Sequence, residues 1–169
     1  WHPWEDYREF FMSSSDLGGG ALLDESHWLD QMIWMFGIPN SIFGTVGKVS
    51  DLEISSDDCV EILAYFDSGL RVSIHLDTIG RPHEKSISIY GEKGIAEWTE
   101  HENSVDILHS SGDRQKHKFD QERNYMFLSA AEEFVDLMCG KNVSTCSLQD
   151  GIKVMSLIEN IRCSNTEEK

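Results

Sequence analysis

Helical patterning is confined to the two ends of the chain, and this segregation limits the possible folds more than any other feature of the sequence. Residues 21–37 (ALLDESHWLDQMIWMFG) read as a helix, with Leu22, Leu29, Ile33 and Phe36 at helical spacing and Gly37 and Pro39 ending it. From there to about residue 120 no stretch reads as a long helix. Residues 41–50 are β-branched and punctuated by glycine, and 59–66 are continuously apolar. Leu70, Val72, Ile74 and Leu76 then alternate with Arg71, Ser73 and His75, which is strand periodicity. Residues 86–90 and 95–99 flank the hairpin loop Gly91-Glu92-Lys93-Gly94, and 105–108 and 116–119 form a weaker pair around Ser110-Ser111-Gly112-Asp113. Helix returns over 124–139, with an apolar stripe of Phe127, Ala131, Phe134 and Met138. A last helix spans about 148–162, with Ser147 as N-cap and Asp150 in its first turn, and residues 165–169 are expected to be a disordered tail.

Tight turns join antiparallel strands, and segregated helices must lay their apolar stripes on the sheet. The expected class is α+β, a mainly antiparallel open sheet of about six or seven strands with helices packed on one face. Within 59–66, Val60, Ile62, Ala64 and Phe66 point one way and Leu63 and Tyr65 the other. A sheet covered on one side only would be polar on its second face, so that face is expected to meet another domain or a second copy.

Charge narrows the partners. In 169 residues there are 14 Lys and Arg against 30 Asp and Glu, a net charge of −16. This excludes nucleic acid, which needs clustered cations to displace counterions, and it disfavours anionic membrane surfaces. The longest nearly apolar run, 32–38, is too short to span a bilayer, and no signal peptide is read at the start. Cys59, Cys139, Cys146 and Cys163 lack CxxC or zinc-ribbon spacing, which points to free thiols and a cytoplasmic location.

The triple glycine is not a dinucleotide loop. In the frame starting at Gly18 the third glycine position is Leu23, and Ser13-Ser14-Ser15-Asp16 is not a strand. After the glycines, Asp24, His27 and Asp30 lie three residues apart, within side-chain reach on a helix. An imidazole oriented by a carboxylate suits general acid–base work, but on spacing alone a capping Asp beside a structural His describes them better. His75, Asp77 and His83 read as solvated strand residues and no metal site is assigned; Asp57-Asp58 and residues 100–102 read as solvated faces.

The run Gly18-Gly19-Gly20-Ala21-Leu22-Leu23-Asp24, continuing to His27 and Asp30 and then Trp34 and Gly37, resembles the GGGxLxD…H…D…W…G signature of the glucose–fructose oxidoreductase/inositol dehydrogenase (Gfo/Idh/MocA) family, in its C-terminal domain. Asp57-Asp58, Phe66-Asp67-Ser68-Gly69, Tyr90-Gly91-Glu92-Lys93-Gly94, Arg123-Asn124-Tyr125-Met126-Phe127 and Ser147-Leu148-Gln149-Asp150-Gly151 echo the family in the right order. The resemblance implies a domain of an NAD(P)-dependent oxidoreductase acting on a hydroxyl of a sugar, cyclitol or nucleotide-sugar. Residues 1–169 would be its C-terminal substrate-binding and oligomerisation domain. NAD or NADP and a catalytic lysine would reside on an N-terminal Rossmann domain outside this chain, so the isolated chain is expected to be inactive.

By the same resemblance His27 is the acid/base at the substrate hydroxyl and Asp24 its orienting or proton-relaying partner. The gap between them is three residues, where many members have four. Trp4, Asp6, Tyr7, Arg8, Arg81 and His83 would face the substrate, although WHPWEDYR could equally pack and cap. Assembly would be homo-oligomeric, through the second sheet face. The alternative is a non-catalytic binding or assembly module that keeps the fold.

Overall fold

A computed structural model of the chain describes residues 6–120, 122–141 and 145–166. The class is α+β, and all strand pairing is antiparallel. The chain forms two compact units, one from residues 1–79 and 146–169, the other from residues 80–145. Among the described residues, seven strands hydrogen-bond as two meanders, one of three strands and one of four, with a break between the third and fourth strands. Alternation within a strand reveals which face is buried; it does not reveal which neighbour the next strand will choose.

In the first unit, three short 3-10 turns lead into α1 (Ala21–Asp24) and α2 (His27–Phe36), followed by β1 (Ser41–Gly47), β2 (Cys59–Tyr65), β3 (Arg71–Asp77) and, from the end of the chain, α4 (Leu148–Thr166). The single helix expected over 21–37 is thus broken. Ser26 N–H, Trp28 N–H and Leu29 N–H bond to the carbonyls of Leu23, Glu25 and Ser26, three residues back, so the chain turns tightly between α1 and α2.

One face of the sheet carries Ile42, Val60, Ile62, Ala64 and Leu76, all buried. Against it pack Leu22, Leu29 and Met32 from the first helices and Val154, Leu157, Ile158 and Ile161 from α4. Gly44 lets α4 approach, since a Cβ there would lie 2.9 Å from Ile161 Cγ2 and 2.8 Å from Glu61 O. The end of α4 also closes the outer edge of β1. Gly44 N–H donates to Ser164 Oγ (3.1 Å), Val46 N–H donates to Asn165 Oδ1 (3.1 Å), and Asn165 Nδ2 donates to Val46 O (3.1 Å). Edge groups satisfied in this way are no longer open to another strand. Asn165 therefore belongs to the fold, not to a disordered tail; residues 167–169 lie outside the described part. Ser147 caps α4 as its sequence suggests: it accepts from Asp150 N–H, and both its N–H and its hydroxyl donate to the Asp150 carboxylate.

The second face of this sheet is partly apolar and open. Phe43 and Leu63 are about half exposed, the Phe43 and Tyr65 rings meet edge-on at 6.1 Å, and the Arg71 guanidinium lies 4.7 Å from the Tyr65 ring centre.

The second unit contains β4 (Ser86–Gly91), β5 (Gly94–Thr99), β6 (Ser104–His109), β7 (Arg114–Lys118) and α3 (Arg123–Met138). The expected hairpin loops sit where turn residues predict them: β4 and β5 are joined through Glu92-Lys93, and β6 and β7 through residues 110–113. The stripe on α3 is present, but Phe127, Phe134 and Met138 remain exposed. A helical stripe states that a surface is required and leaves open which one.

The acidic pair Asp57-Asp58 corrects its reading as a solvated face. Asp58 is fully buried, its N–H donates to Gly47 O, and its carbonyl accepts from Thr78 N–H. Its carboxylate accepts from Val49 N–H (2.7 Å), Ser50 N–H (3.1 Å) and the Ser50 hydroxyl. Burial by itself would raise this carboxyl's pKa, but the bonds from Ser50 and Val49, with the nearby Lys48, hold it below the usual carboxylate range. Asp58→Ala is expected to lower stability at pH 7 by about 1–3 kcal/mol, because the Val49 and Ser50 amides and the Ser50 hydroxyl lose their shared acceptor. A group whose folded pKa is depressed stabilises above its unfolded pKa, about 3.9, and loses that contribution as pH falls toward the folded value. Denaturant titrations at several acid pH values should therefore show the wild type and the variant converging below about pH 4.

Candidate active site

The triple glycine shapes the entry to α1. A Cβ on Gly19 would collide with the main-chain carbonyls of Phe11 and Met12, and one on Gly20, at φ +122°, with the Asp57 carboxylate. These close approaches allow Asp57 to cap α1 from across the unit. Its carbonyl accepts from Ala21 N–H (3.0 Å) and its Oδ2 from Leu22 N–H (2.8 Å). Exposed amides at a helix start form an anion site, but here a carboxylate already fills that role. The glycines are lined by carbonyl and carboxylate oxygens, which does not fit the pyrophosphate of a dinucleotide.

Capping fixes α1, and the tight turn after it fixes the first residue of α2, His27. Leu22 and Leu29, on either side of the turn, are fully buried, whereas the His27 side chain is about half exposed. Its Nε2 lies 3.4 Å from Glu25 Oε2, and the same carboxylate oxygen accepts from Trp28 Nε1 at 3.1 Å. The rings of His27 and Trp28 are 5.3 Å apart. Asp24 closes α1 instead of opening a longer helix, and its N–H donates to Gly20 O. The carboxylate beside the imidazole is thus that of Glu25. The family resemblance named Asp24; the contact with Glu25 depends on the tight turn, for which the Glu25-Ser26 pair was the available signal.

The other expected substrate residues fall into two places. Trp4 lies outside the described residues. Asp6, Tyr7 and Arg8 are engaged with one another and with Glu53. Asp6 accepts from Arg8 N–H at 3.0 Å and caps the 3-10 turn Tyr7–Glu9, while the Arg8 guanidinium bonds Asp6 (2.6 and 2.8 Å) and Glu53 (2.8 Å). Tyr7 Oη accepts from Glu53 N–H at 3.2 Å. The bonds from Arg8 draw the Asp6 carboxyl down to about 2. Capping by this segment is therefore realised, and Arg8 is held with its positive charge balanced. Arg81 and His83 belong to the second unit. There Arg81 Nη1 donates to Gly80 O (2.7 Å), and His83 Nδ1 lies 3.8 Å from Glu100 Oε2.

What this arrangement can do chemically is move a proton: an accessible imidazole stands on a rigid helix start, with a carboxylate at one nitrogen. Among the described residues, no helix is long and apolar enough to cross a membrane.

A model of the GFO/IDH/MocA C-terminal domain family matches residues 1–97. No curated protein matches the chain significantly. Among solved structures, the WlbA dehydrogenase from Bordetella pertussis, in complex with NADH and UDP-GlcNAcA, has a TM-score of 0.73 at 19% identity, covering 99% of this chain and 50% of that one. UDP-N-acetylglucosamine 3-dehydrogenase GnnA from Acidithiobacillus ferrooxidans has a TM-score of 0.72 at 15% identity, with coverage of 85% and 46%. An oxidoreductase from Agrobacterium radiobacter, in complex with NAD+, L-tartaric acid and magnesium, gives 0.76 at 14%, with coverage of 98% and 52%. At these identities the likeness is one of fold, and the chain spans about half the length of the structures it matches.

Asp57→Ala should lower stability by about 1 kcal/mol, the ordinary cost of losing a helix cap. Hydrogen exchange should locate the loss at the Leu22 amide; unchanged protection there would remove Asp57 from the architecture of the site.

Proposed function

Since the chain belongs to the GFO/IDH/MocA C-terminal domain family, we propose that it is the substrate-facing and assembly domain of an NAD(P)-dependent oxidoreductase. The substrate carries a hydroxyl on a sugar, cyclitol or nucleotide-sugar, the last class in keeping with the UDP-sugar names of WlbA and GnnA. The observation that carries this reading is the placement of His27, half exposed at the start of α2 with Glu25 at its ring.

In the oxidative direction the substrate loses a hydride from carbon and a proton from its hydroxyl. A nicotinamide cofactor, which the proposed enzyme would hold on a separate Rossmann domain, would supply the hydride acceptor. His27 takes the proton, and in the reverse direction returns it. Glu25 orients the imidazole, and the Trp28 indole N–H holds Glu25 in place. Asp24, one residue before Glu25 in the chain, is the relay that the family resemblance suggests. Trp4, Asp6, Tyr7, Arg8, Arg81 and His83 are the candidate substrate contacts; aromatic faces and fixed charges suit a polyhydroxylated or anionic ligand.

A second reading, an assembly module without catalysis, draws on the open sheet face bearing Phe43, Leu63 and Tyr65. Self-association through that face is compatible with either reading, so only chemistry at His27 separates them.

In the intact protein, His27→Ala is expected to reduce turnover by roughly 10²- to 10⁴-fold while circular dichroism and melting stay unchanged. An assembly module would keep whatever rate it has. The chain alone should show no turnover. Leu63→Glu should shift sedimentation toward the monomer and leave the fold intact, because it puts a charge on an exposed apolar face.

A further inference from the structure

The outer face of the three-stranded sheet carries a cluster with a different chemistry from the His27 site. Strands β2 and β3 pair Cys59 with Asp77 and Glu61 with His75, two successive cross-strand pairs on the same face. Neighbours in such a ladder bring their Cβ atoms to about 5 Å, within reach of a common ion. One donor atom each from Cys59, Glu61 and His75 lies within 4.8 Å of the other two. Three atoms this close can surround a cation at bond lengths of about 2.0–2.3 Å after small side-chain rotations.

His75 is held on both sides. Its Nδ1 is 2.6 Å from Glu61 Oε1 and its Nε2 is 3.0 Å from Asp77 Oδ2. Asp77 is in turn fixed through its other oxygen, which accepts from Ile79 N–H at 2.8 Å. An imidazole with a ligand-bearing side and a carboxylate accepting from its opposite N–H is the arrangement that orients metal-bound histidines. Exposed carboxylates alone would make no such site. The combination of a thiol, an imidazole and a carboxylate at one point, backed by a second carboxylate that is itself anchored, is selective.

From this geometry we infer that Cys59, Glu61 and His75 bind a divalent cation of the zinc class, with Asp77 orienting His75 through Nε2. Sulfur and nitrogen donors favour zinc or cobalt over magnesium or calcium. On binding, the Cys59 thiol proton and the proton held between His75 Nδ1 and Glu61 leave to solvent, and His75 ligates as neutral imidazole through Nδ1 while its Nε2–H donates to Asp77. Three protein ligands leave a fourth position for water. The site lies beside the open apolar face and does not depend on the role of His27.

Titration of zinc into the purified chain against a chromogenic chelator should give one ion per chain, and cobalt should give a thiolate-to-metal absorption band. Cys59→Ser and His75→Gln should each weaken binding by roughly tenfold or more. Asp77→Asn should weaken it by about 10- to 100-fold, as expected for an orienting carboxylate. Cys139→Ser and excess magnesium should change nothing. His75 is exposed, so His75→Gln reports on the site even if Cys59→Ser fails to fold. No bound zinc, a cobalt complex without the thiolate band, or zinc binding that survives His75→Gln and disappears with Cys139→Ser would overturn the inference.

Discussion

The Asp57-Asp58 pair is the constraint on which the first unit depends. The two adjacent carboxylates do opposite jobs: Asp57 reaches back to cap α1, and Asp58 turns inward to hold residues 49 and 50. Through the Asp58 main chain the end of β1 and the residue after β3 are tied to the start of β2. An isolated buried carboxylate would be destabilising. Three donors converge on this one, and its ionised form becomes a structural element. The glycines before α1 belong to the same device, because only residues without a Cβ allow the chain to pass so close to Asp57 and to the turn at Phe11 and Met12.

The candidate site inherits its geometry from that anchoring. His27 is positioned by what surrounds it in the chain, a capped helix on one side, a buried Leu29 on the other and a tight turn between them. This explains how a side chain can be half exposed and still well placed. With the helix broken at residues 25 and 26, Glu25 lies beside the imidazole.

Apolar surface left uncovered is the other recurrent theme. In the first unit it is the outer face of the sheet at Phe43 and Leu63; in the second it is the stripe on α3. The first lies next to the cluster of Cys59, Glu61, His75 and Asp77, so one sheet face combines a hydrophobic area with a polar one. Burying such area is the main source of association energy, at roughly 25 cal/mol per Å². The assembly role given to this domain in the proposed function rests on that surface.

Much of this was legible in the chain itself. Periodicity is a local property, so strand alternation at 70–76, the hairpin loops around residues 92–93 and 110–113, the cap at Ser147 and the α+β class could all be read directly. So could the ordered motifs that carry the family resemblance. Other features depended on contacts between residues far apart in sequence, and no local pattern encodes these. They include the division of seven strands into two sheets, the burial of Asp58, the capping of α1 by a residue 35 positions away, and Asn165 sealing β1 from 119 positions away. Local patterning determined the elements, and the ordered motifs carried the resemblance to the family. Tertiary structure decided which carboxylate is buried, which one meets His27, and which side chains from separate strands converge, because only the folded chain sets those distances.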